Sequence, residues 1–342
     1  MIPNVWTIAA VLPLIWAAIV ALAVFMYVLM DGFDLGVGIL FPWARTEEDR
    51  DLMMNSVAPI WDGNETWLVL GGMALLAAFP LAFSIILPAL YLPITFMVIG
   101  LIFRGVAFEF RFKAHKSKWL WSVAFSGGSL LATFFQGIVL GTFVQGFPVS
   151  GGQYVGGPFL WVSPLAFVTG MALICGYGLL GAAWLVMKSE GPLQTRARWA
   201  TGRLLLAVLV FMVTVSLCVP LLDQSIARRW FTWPNIAYFA PVPILVVLFA
   251  WRLRLSLQRG SDYAPFIYAM ALFALGYTGL AISLFPHVVP PALTLWDVSS
   301  SASSQLFFLV GELFLLPVTF VYTTYSYWVF RGKVRPGGGY SH

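Results

Sequence analysis

Charge is scarce in this sequence: Lys, Arg, Asp and Glu make up 10% of 342 residues, where a soluble domain carries about a quarter. With 60% hydrophobic residues and a mean hydropathy of +0.88, a soluble globular protein is excluded. Cysteine is nearly absent. Cys175 and Cys218 both lie in apolar runs, where a thiol packs as a small hydrophobe, so no disulfide framework is implied. Histidine is limited to His115, His287 and His342. None sits in the middle of an apolar run, which excludes a haem held by two histidines of this chain. Met73, Met97 and Met171 read as helix packing, and Cys-x-x-Cys or His-Glu-x-x-His spacing is missing, so no metal site is expected. Period-two alternation is also lacking, as in the continuous run over residues 204–215, and this excludes a membrane barrel.

What is present is apolar sequence in lengths of about 20 residues or more, enough to cross a bilayer as helix. The pattern predicts an all-α polytopic membrane protein with nine transmembrane helices, at about 8–31, 54–78, 81–108, 119–145, 160–187, 201–221, 236–256, 264–286 and 306–330. The whole chain, 1–342, reads as a single transmembrane domain, two four-helix bundles plus one peripheral helix. Met1-Ile2-Pro3-Asn4 has no basic leader and no cleavage site follows, so the first run reads as a helix rather than a signal peptide. The formal net charge of +5 is no nucleic-acid signature, because it follows topology. Alternating the loops between two sides leaves only Arg228 and Arg229 on one and every other Lys and Arg on the other. The positive-inside rule then predicts an N-terminus outside and a C-terminus in the cytoplasm, with the basic stretch 111–118 beside anionic lipid headgroups.

Against this background four carboxylates stand out. The first helix runs into Asp31-Gly32-Phe33-Asp34-Leu35-Gly36-Val37-Gly38, and a second apolar run opens with Trp61-Asp62-Gly63-Asn64-Glu65-Thr66-Trp67. Asp31 and Asp34, three apart, share a helix face, as do Asp62 and Glu65. An ionised group costs several kcal/mol in hydrocarbon, so each needs a partner, water or a proton. A series of such groups leading inward from the cytoplasmic side is what proton uptake requires. The plainer reading is that Asp31 and Asp34 cap the helix end, with the glycines supplying a turn. Arg104, in Phe103-Arg104-Gly105-Val106-Ala107-Phe108-Glu109, either snorkels to the interface or pairs with Asp62 or Glu65. Glu312 is a lone intramembrane acid without an evident partner.

These motifs, with Asn55-Ser56-Val57-Ala58-Pro59-Ile60 ahead of Trp61, and Leu295-Trp296-Asp297-Val298-Ser299-Ser300 near the C-terminus, closely resemble subunit II of the cytochrome bd-type quinol oxidases. Glu65 and the short outer loops are more similar to the cyanide-insensitive branch. The resemblance implies a nine-helix, haem-free subunit of a quinol:O2 oxidoreductase in the bacterial cytoplasmic membrane. It implies a partner subunit I carrying the haems, b-type and d-type or b-type only, with quinol as substrate of the complex and a small single-helix subunit as a further candidate partner. By resemblance, Asp31, Asp34, Asp62 and Glu65 lie on a proton path from the cytoplasm, with Arg104 as charge partner. Lipids and subunit I are the expected partners, and no nucleic acid. Two other readings remain at this level. A proton-coupled secondary transporter also uses intramembrane carboxylates, although an inverted repeat is not visible. A scaffold for subunit I would need the acids only as satisfied polar groups.

Overall fold

The computed structural model describes residues 8–222 and 224–335; Met1-Ile2-Pro3-Asn4 and His342 lie outside them. The chain is helical almost throughout. Its axis is α1 (Ile8–Leu40), followed by α2 (Glu47–Asn55), α3 (Trp61–Ala78), α4 (Pro80–Ala89), α5 (Tyr91–Arg111) and α6 (Lys118–Gln145). Next come β1 (Val149–Ser150), β2 (Gln153–Tyr154), α7 (Pro164–Lys188), α8 (Gly191–Leu222), α9 (Gln224–Phe231), α10 (Asn235–Phe239), α11 (Pro241–Gln258) and α12 (Ala264–Leu284). The chain closes with β3 (His287–Val289), β4 (Leu293–Thr294) and α13 (Ala302–Val329). Helix α1 packs against α3, α6, α7, α12 and α13, so what it carries lies at the centre.

The first expected span was too short. Helix α1 continues through Asp31 and Asp34 to Leu40, which removes the capping reading for both acids. The glycines serve close packing instead of a turn. A Cβ at Gly36 would clash with the Tyr177 carbonyl and stand 2.8 Å from the Gly181 nitrogen, so α1 and α7 touch backbone to backbone. The same device joins α5 to α6, where a Cβ at Gly100 would stand 2.6 Å from the Ala132 nitrogen. Small residues at such crossings drive helix association where lipid removes the hydrophobic incentive.

Two further expectations change. The span at 54–78 begins only at Trp61, because the charged stretch before it folds as its own helix. Thr46 accepts a hydrogen bond from the Asp49 amide at 3.1 Å, and Glu47, Glu48 and Asp49 fill the first turn of α2, where the helix dipole favours acids. The span at 81–108 breaks into α4 and α5 at Leu90. Pro93 lacks the N–H that would bond the Ala89 carbonyl, and its ring crowds that carbonyl. Eight helices among the described residues are long and apolar enough to cross a membrane. Helix α3 is not among them, since Asp62, Asn64 and Glu65 occupy its first two turns.

One end of the bundle carries the basic loops and is held by ion pairs. Buried Arg111 donates to Asp51 at 2.6 Å and Glu47 at 2.9 Å, tying α5 to α2, and Arg196 pairs with Asp49 at 2.5 Å, adding α8. After α13 the chain folds back: the Val334 amide donates to the Lys188 carbonyl at 2.8 Å, and Lys333 pairs with Asp262 at 2.7 Å. At the opposite end two antiparallel hairpins, β1–β2 and β3–β4, cover the helix ends. There the Ser300 amide donates to the Ala78 carbonyl at 2.9 Å, and Trp16 Nε1 donates to the Gln305 carbonyl at 3.2 Å.

Two outcomes follow from this packing. Gly36→Ala must force α1 from α7 and is expected to cost about 1–3 kcal/mol, read as a fall in the thermal midpoint of the purified protein. Gly72→Ala, with nothing within 4 Å of the new Cβ, leaves the midpoint unchanged. At the returning tail, the hydrogen bond from Lys333 holds the Asp262 carboxyl below its usual value, aided by the charges of Lys333 and Arg198. A lowered carboxyl stabilises above its unfolded value of about 4 and loses that contribution as pH falls through the lower folded value. Protection of the Val334 amide in hydrogen exchange is therefore expected at neutral pH, to weaken below about pH 4, and to be weak at all pH values in Asp262→Asn.

Candidate functional site

Helix α1 brings Asp31 and Asp34 to the centre of the bundle, both fully buried. Helix α5 crosses beside them and supplies Arg104, also fully buried. Arg104 is therefore not at the interface. Its Nη1 donates to Asp31 Oδ1 and its Nη2 donates to Glu65 Oε2 at 2.7 Å, so one guanidinium bridges α1 and α3. The guanidinium carbon lies 5.7 Å from the Trp61 ring centroid, and Trp61 stacks on Phe108 with centroids 4.9 Å apart. The expected pairing with Glu65 is present. The expected alternative with Asp62 is not, and Asp31, not foreseen as a partner, takes the other arm.

On the other side of α3, Asn64 Nδ2 donates to Asp34 Oδ2 at 2.7 Å, and Asn64 Oδ1 accepts from the Tyr327 hydroxyl at 2.9 Å. Behind Asn64 is a cavity of about 10 Å³ between α3 and α13, lined in part by Thr323, Ser326 and Tyr327. That is room for one water, and the buried Thr323 hydroxyl has no protein partner. A third branch runs deeper. Tyr27 lies one turn before Asp31 on the same face of α1. Its hydroxyl accepts from Gln136 Nε2 at 2.6 Å, and Gln136 Oε1 accepts from the Tyr177 hydroxyl at 2.9 Å. Sequence reasoning missed Tyr27, Gln136, Tyr177 and Tyr327. The signal available was a glutamine and tyrosines at interior positions of apolar helices.

The structure thus joins Asp31, Asp34, Glu65 and Arg104 and leaves Asp62 out. Asp62 lies on the exposed stripe of α3 with Thr66, Val69 and Met73, because successive residues of a helix point 100° apart and Asn64 and Glu65 take the inner face. The Glu65 side chain is 25% exposed, which places it at the boundary between Asp62 and the buried cluster. Asp31 Oδ2 and Asp34 Oδ1 are buried without a hydrogen-bond partner, so each leaves a lone pair able to take a proton. Glu312 is half-buried on α13, with one carboxyl oxygen unpartnered. Of the histidines, His115 lies exposed between α5 and α6, and His287 lies in β3 at the opposite end. No cluster of three metal-ligating side chains occurs among the described residues.

Breaking one member of a buried ion pair leaves the other uncompensated, at about 3–5 kcal/mol. Arg104→Gln is accordingly expected to lower the thermal midpoint or the membrane yield sharply. Adding Asp31→Asn and Glu65→Gln to the same chain should recover much of the loss. Recovery measured by fluorescence-detected size-exclusion chromatography checks that charge, and not side-chain volume, is responsible.

The family model described as cytochrome bd terminal oxidase subunit II matches residues 12–330. Cytochrome bd-I ubiquinol oxidase subunit 2 of Escherichia coli K12 is 26% identical, with 95% of each chain covered. Cytochrome bd ubiquinol oxidase subunit 2 of Bacillus subtilis 168 is 29% identical, covering 94% of this chain and 96% of the relative. Among solved structures, a chain of the bd oxidase from Geobacillus thermodenitrificans has the same fold, with a TM-score of 0.67 at 20% identity over 91% of this chain and 97% of the other. With a match along nearly its whole length, the chain belongs to the subunit II family of cytochrome bd terminal oxidases, multi-pass membrane proteins that work beside a subunit I in a quinol oxidase complex.

Proposed function

We propose that this chain is the haem-free half of a quinol:O2 oxidoreductase, supporting subunit I and delivering protons from the cytoplasm for reduction of O2 to water. The observation that carries the reading is the placement of Asp62 and Glu65. Asp62 is displayed on the exposed stripe of α3, and Glu65, three residues on, is already bonded to the buried Arg104–Asp31 pair. Helix α3 lies between α5 and α13, and both present exposed apolar side chains, including Ile102, Phe103, Phe314 and Val321. A face this apolar with a carboxylate in it suits a protein partner better than lipid, which would leave Asp62 without a partner. Subunit I is the occupant we assign to it.

The chemistry of this chain is then that of proton handling. Asp62 collects a proton at the subunit boundary and Glu65 passes it to the cluster. Asp31 and Glu65 share a single guanidinium and Asp34 is held by Asn64 instead, so the cluster has more carboxyl groups than cations and can hold protons beyond its ion pairs. Arg104 keeps the acids oriented and offsets their charge as protons come and go. The haems, b-type and d-type or b-type only, are assigned to subunit I and supply the oxygen chemistry. The two described histidines, at opposite ends of the bundle, do not fit as a pair of axial ligands here. A small single-helix subunit completes the proposed assembly.

Topology follows the same reading. Helix α3 is the ninth crossing, its polar first turns sheltered by α1, α5 and the partner. Nine crossings form one domain of two four-helix groups plus a peripheral helix. They place the basic end in the cytoplasm and the N-terminus outside, so proton consumption from the basic side contributes to proton motive force.

Asp62→Asn tests the route. In membranes co-expressing both subunits, haem absorption bands should stay at wild-type intensity while quinol-driven oxygen uptake falls about tenfold or more, in the range of a lost proton-transfer group. Loss of the haem bands together with uptake would mean that Asp62 only holds the complex together. Uptake at the wild-type rate would remove it from the path.

A further inference from the structure

The basic end of the bundle holds more arginine than its carboxylates can pair. Arg111 and Arg196 are engaged by the acids of α2, and Arg198 shares Asp262 with Lys333. Arg203 on α8 and Arg254 on α11 are exposed and make no ion pair among the described residues. They are not scattered. Gly202 lies against α11, where a Cβ built on it would stand 3.9 Å from Leu257 Cδ1. Arg203 is the next residue along α8, and Arg254 lies one turn before Leu257 on α11. Helix α8 leaves the basic end and α11 returns to it, so the flanks beside their seam turn to the same outer side. The two arginines therefore flank one seam between α8 and α11 on its outer side.

On α11 the order inward from the basic end is Arg254, Trp251, then Val247, while on α8 Trp199 lies one turn nearer that end than Arg203. Trp199 and Trp251 are exposed at the same end, and the guanidinium carbon of Arg203 lies 3.6 Å from the Trp199 ring centroid. This stacking orders the Arg203 side chain while leaving its N–H groups free. Further from the basic end, α8 exposes Leu206, Val210 and Val213 at helical spacing, and α11 exposes Val247 and Ile244. Both helices thus carry arginine and tryptophan together at the basic end and an aliphatic stripe beyond them, which matches the phosphate and the acyl chains of a phospholipid.

We propose that the α8–α11 seam binds one anionic phospholipid, its phosphate held by Arg203 and Arg254 and its acyl chains lying along the exposed stripes of the two helices. Charge complementarity selects the ligand. Guanidinium groups bind phosphate oxygens through paired N–H donors, and a zwitterionic headgroup would bring a second cation to a site that has no carboxylate to receive it. Basic pockets between transmembrane helices are known to take such headgroups. The inference needs only that the chain spans a bilayer and is independent of the proton route.

The test uses the complex co-expressed with subunit I and extracted in mild detergent. Bound phospholipid is quantified by mass spectrometry, and thermal midpoints are read with added phosphatidylglycerol or phosphatidylcholine. The wild type should retain roughly one anionic phospholipid per complex beyond that kept by the double variant Arg203→Gln/Arg254→Gln. Phosphatidylglycerol should raise the wild-type midpoint and phosphatidylcholine should not, and the double variant should lose this rise. Lys113→Gln/Lys116→Gln, which removes two exposed cations from the loop between α5 and α6, should keep it. Equal losses in both variants would reduce the effect to general positive charge and overturn the site. If the double variant does not accumulate, the wild type alone decides: an equal response to both lipids, or to glycerophosphate without acyl chains, overturns the proposal.

Discussion

A guanidinium fully buried in an apolar bundle is the constraint on which the rest of this structure depends. Arg104 cannot shed its charge, and removing it from water costs several kcal/mol even after relaxation. Its compensation comes from two other helices, Asp31 on α1 and Glu65 on α3. Each of these acids would itself be unaffordable without Arg104. The three helices are therefore fixed relative to one another by a charge balance as well as by packing. Asn64 extends that balance to Asp34 and, through Tyr327, to α13. Tyr27, Gln136 and Tyr177 extend the polar network to α6 and α7.

Such a network requires helices close enough for short side chains to meet, and this is the role of the small residues. The Gly36–Gly181 crossing lets α1 and α7 approach at backbone distance. That approach keeps α1 helical through residues whose composition alone suggests a turn. Glycine costs up to about 1 kcal/mol per residue in a helix interior. Here the cost is outweighed by contact that any larger residue would prevent. The same sequence feature, a glycine-rich stretch beside two aspartates, thus has opposite meanings at a helix end and at a helix crossing.

The outer surface divides according to what covers it. Around α3, α5 and α13 it is apolar with a carboxylate in its midst, a composition suited to another protein. Along α8 and α11 it is apolar with arginine and tryptophan at one end, a composition suited to lipid. At the basic end, acids of α2 and Asp262 neutralise the arginines that lie inward and leave the outward ones free.

The helical membrane class, the approximate position of most helices and the charged residues of the cluster were legible in the sequence, whereas Tyr27, Gln136, Tyr177 and Tyr327 were not. The legible features depend on local quantities: runs of apolar residues long enough for a bilayer, and ionisable groups too costly to sit in them without purpose. The motifs around Asp31, Asp62 and Arg104 also pointed to the family, because their identities are unusual in such surroundings. Where α1 ends, where the 81–108 run breaks, and which acid Arg104 chooses were decided by tertiary structure. Asp62 and Glu65 are three apart in one short motif and look equivalent on a helix face. Only the position of α5 separates them, placing Glu65 against Arg104 and Asp62 on the outside. Whether a buried charge finds its partner depends on side chains meeting from helices distant in sequence, and the apolar pattern that specifies each helix carries no record of which neighbour it will meet.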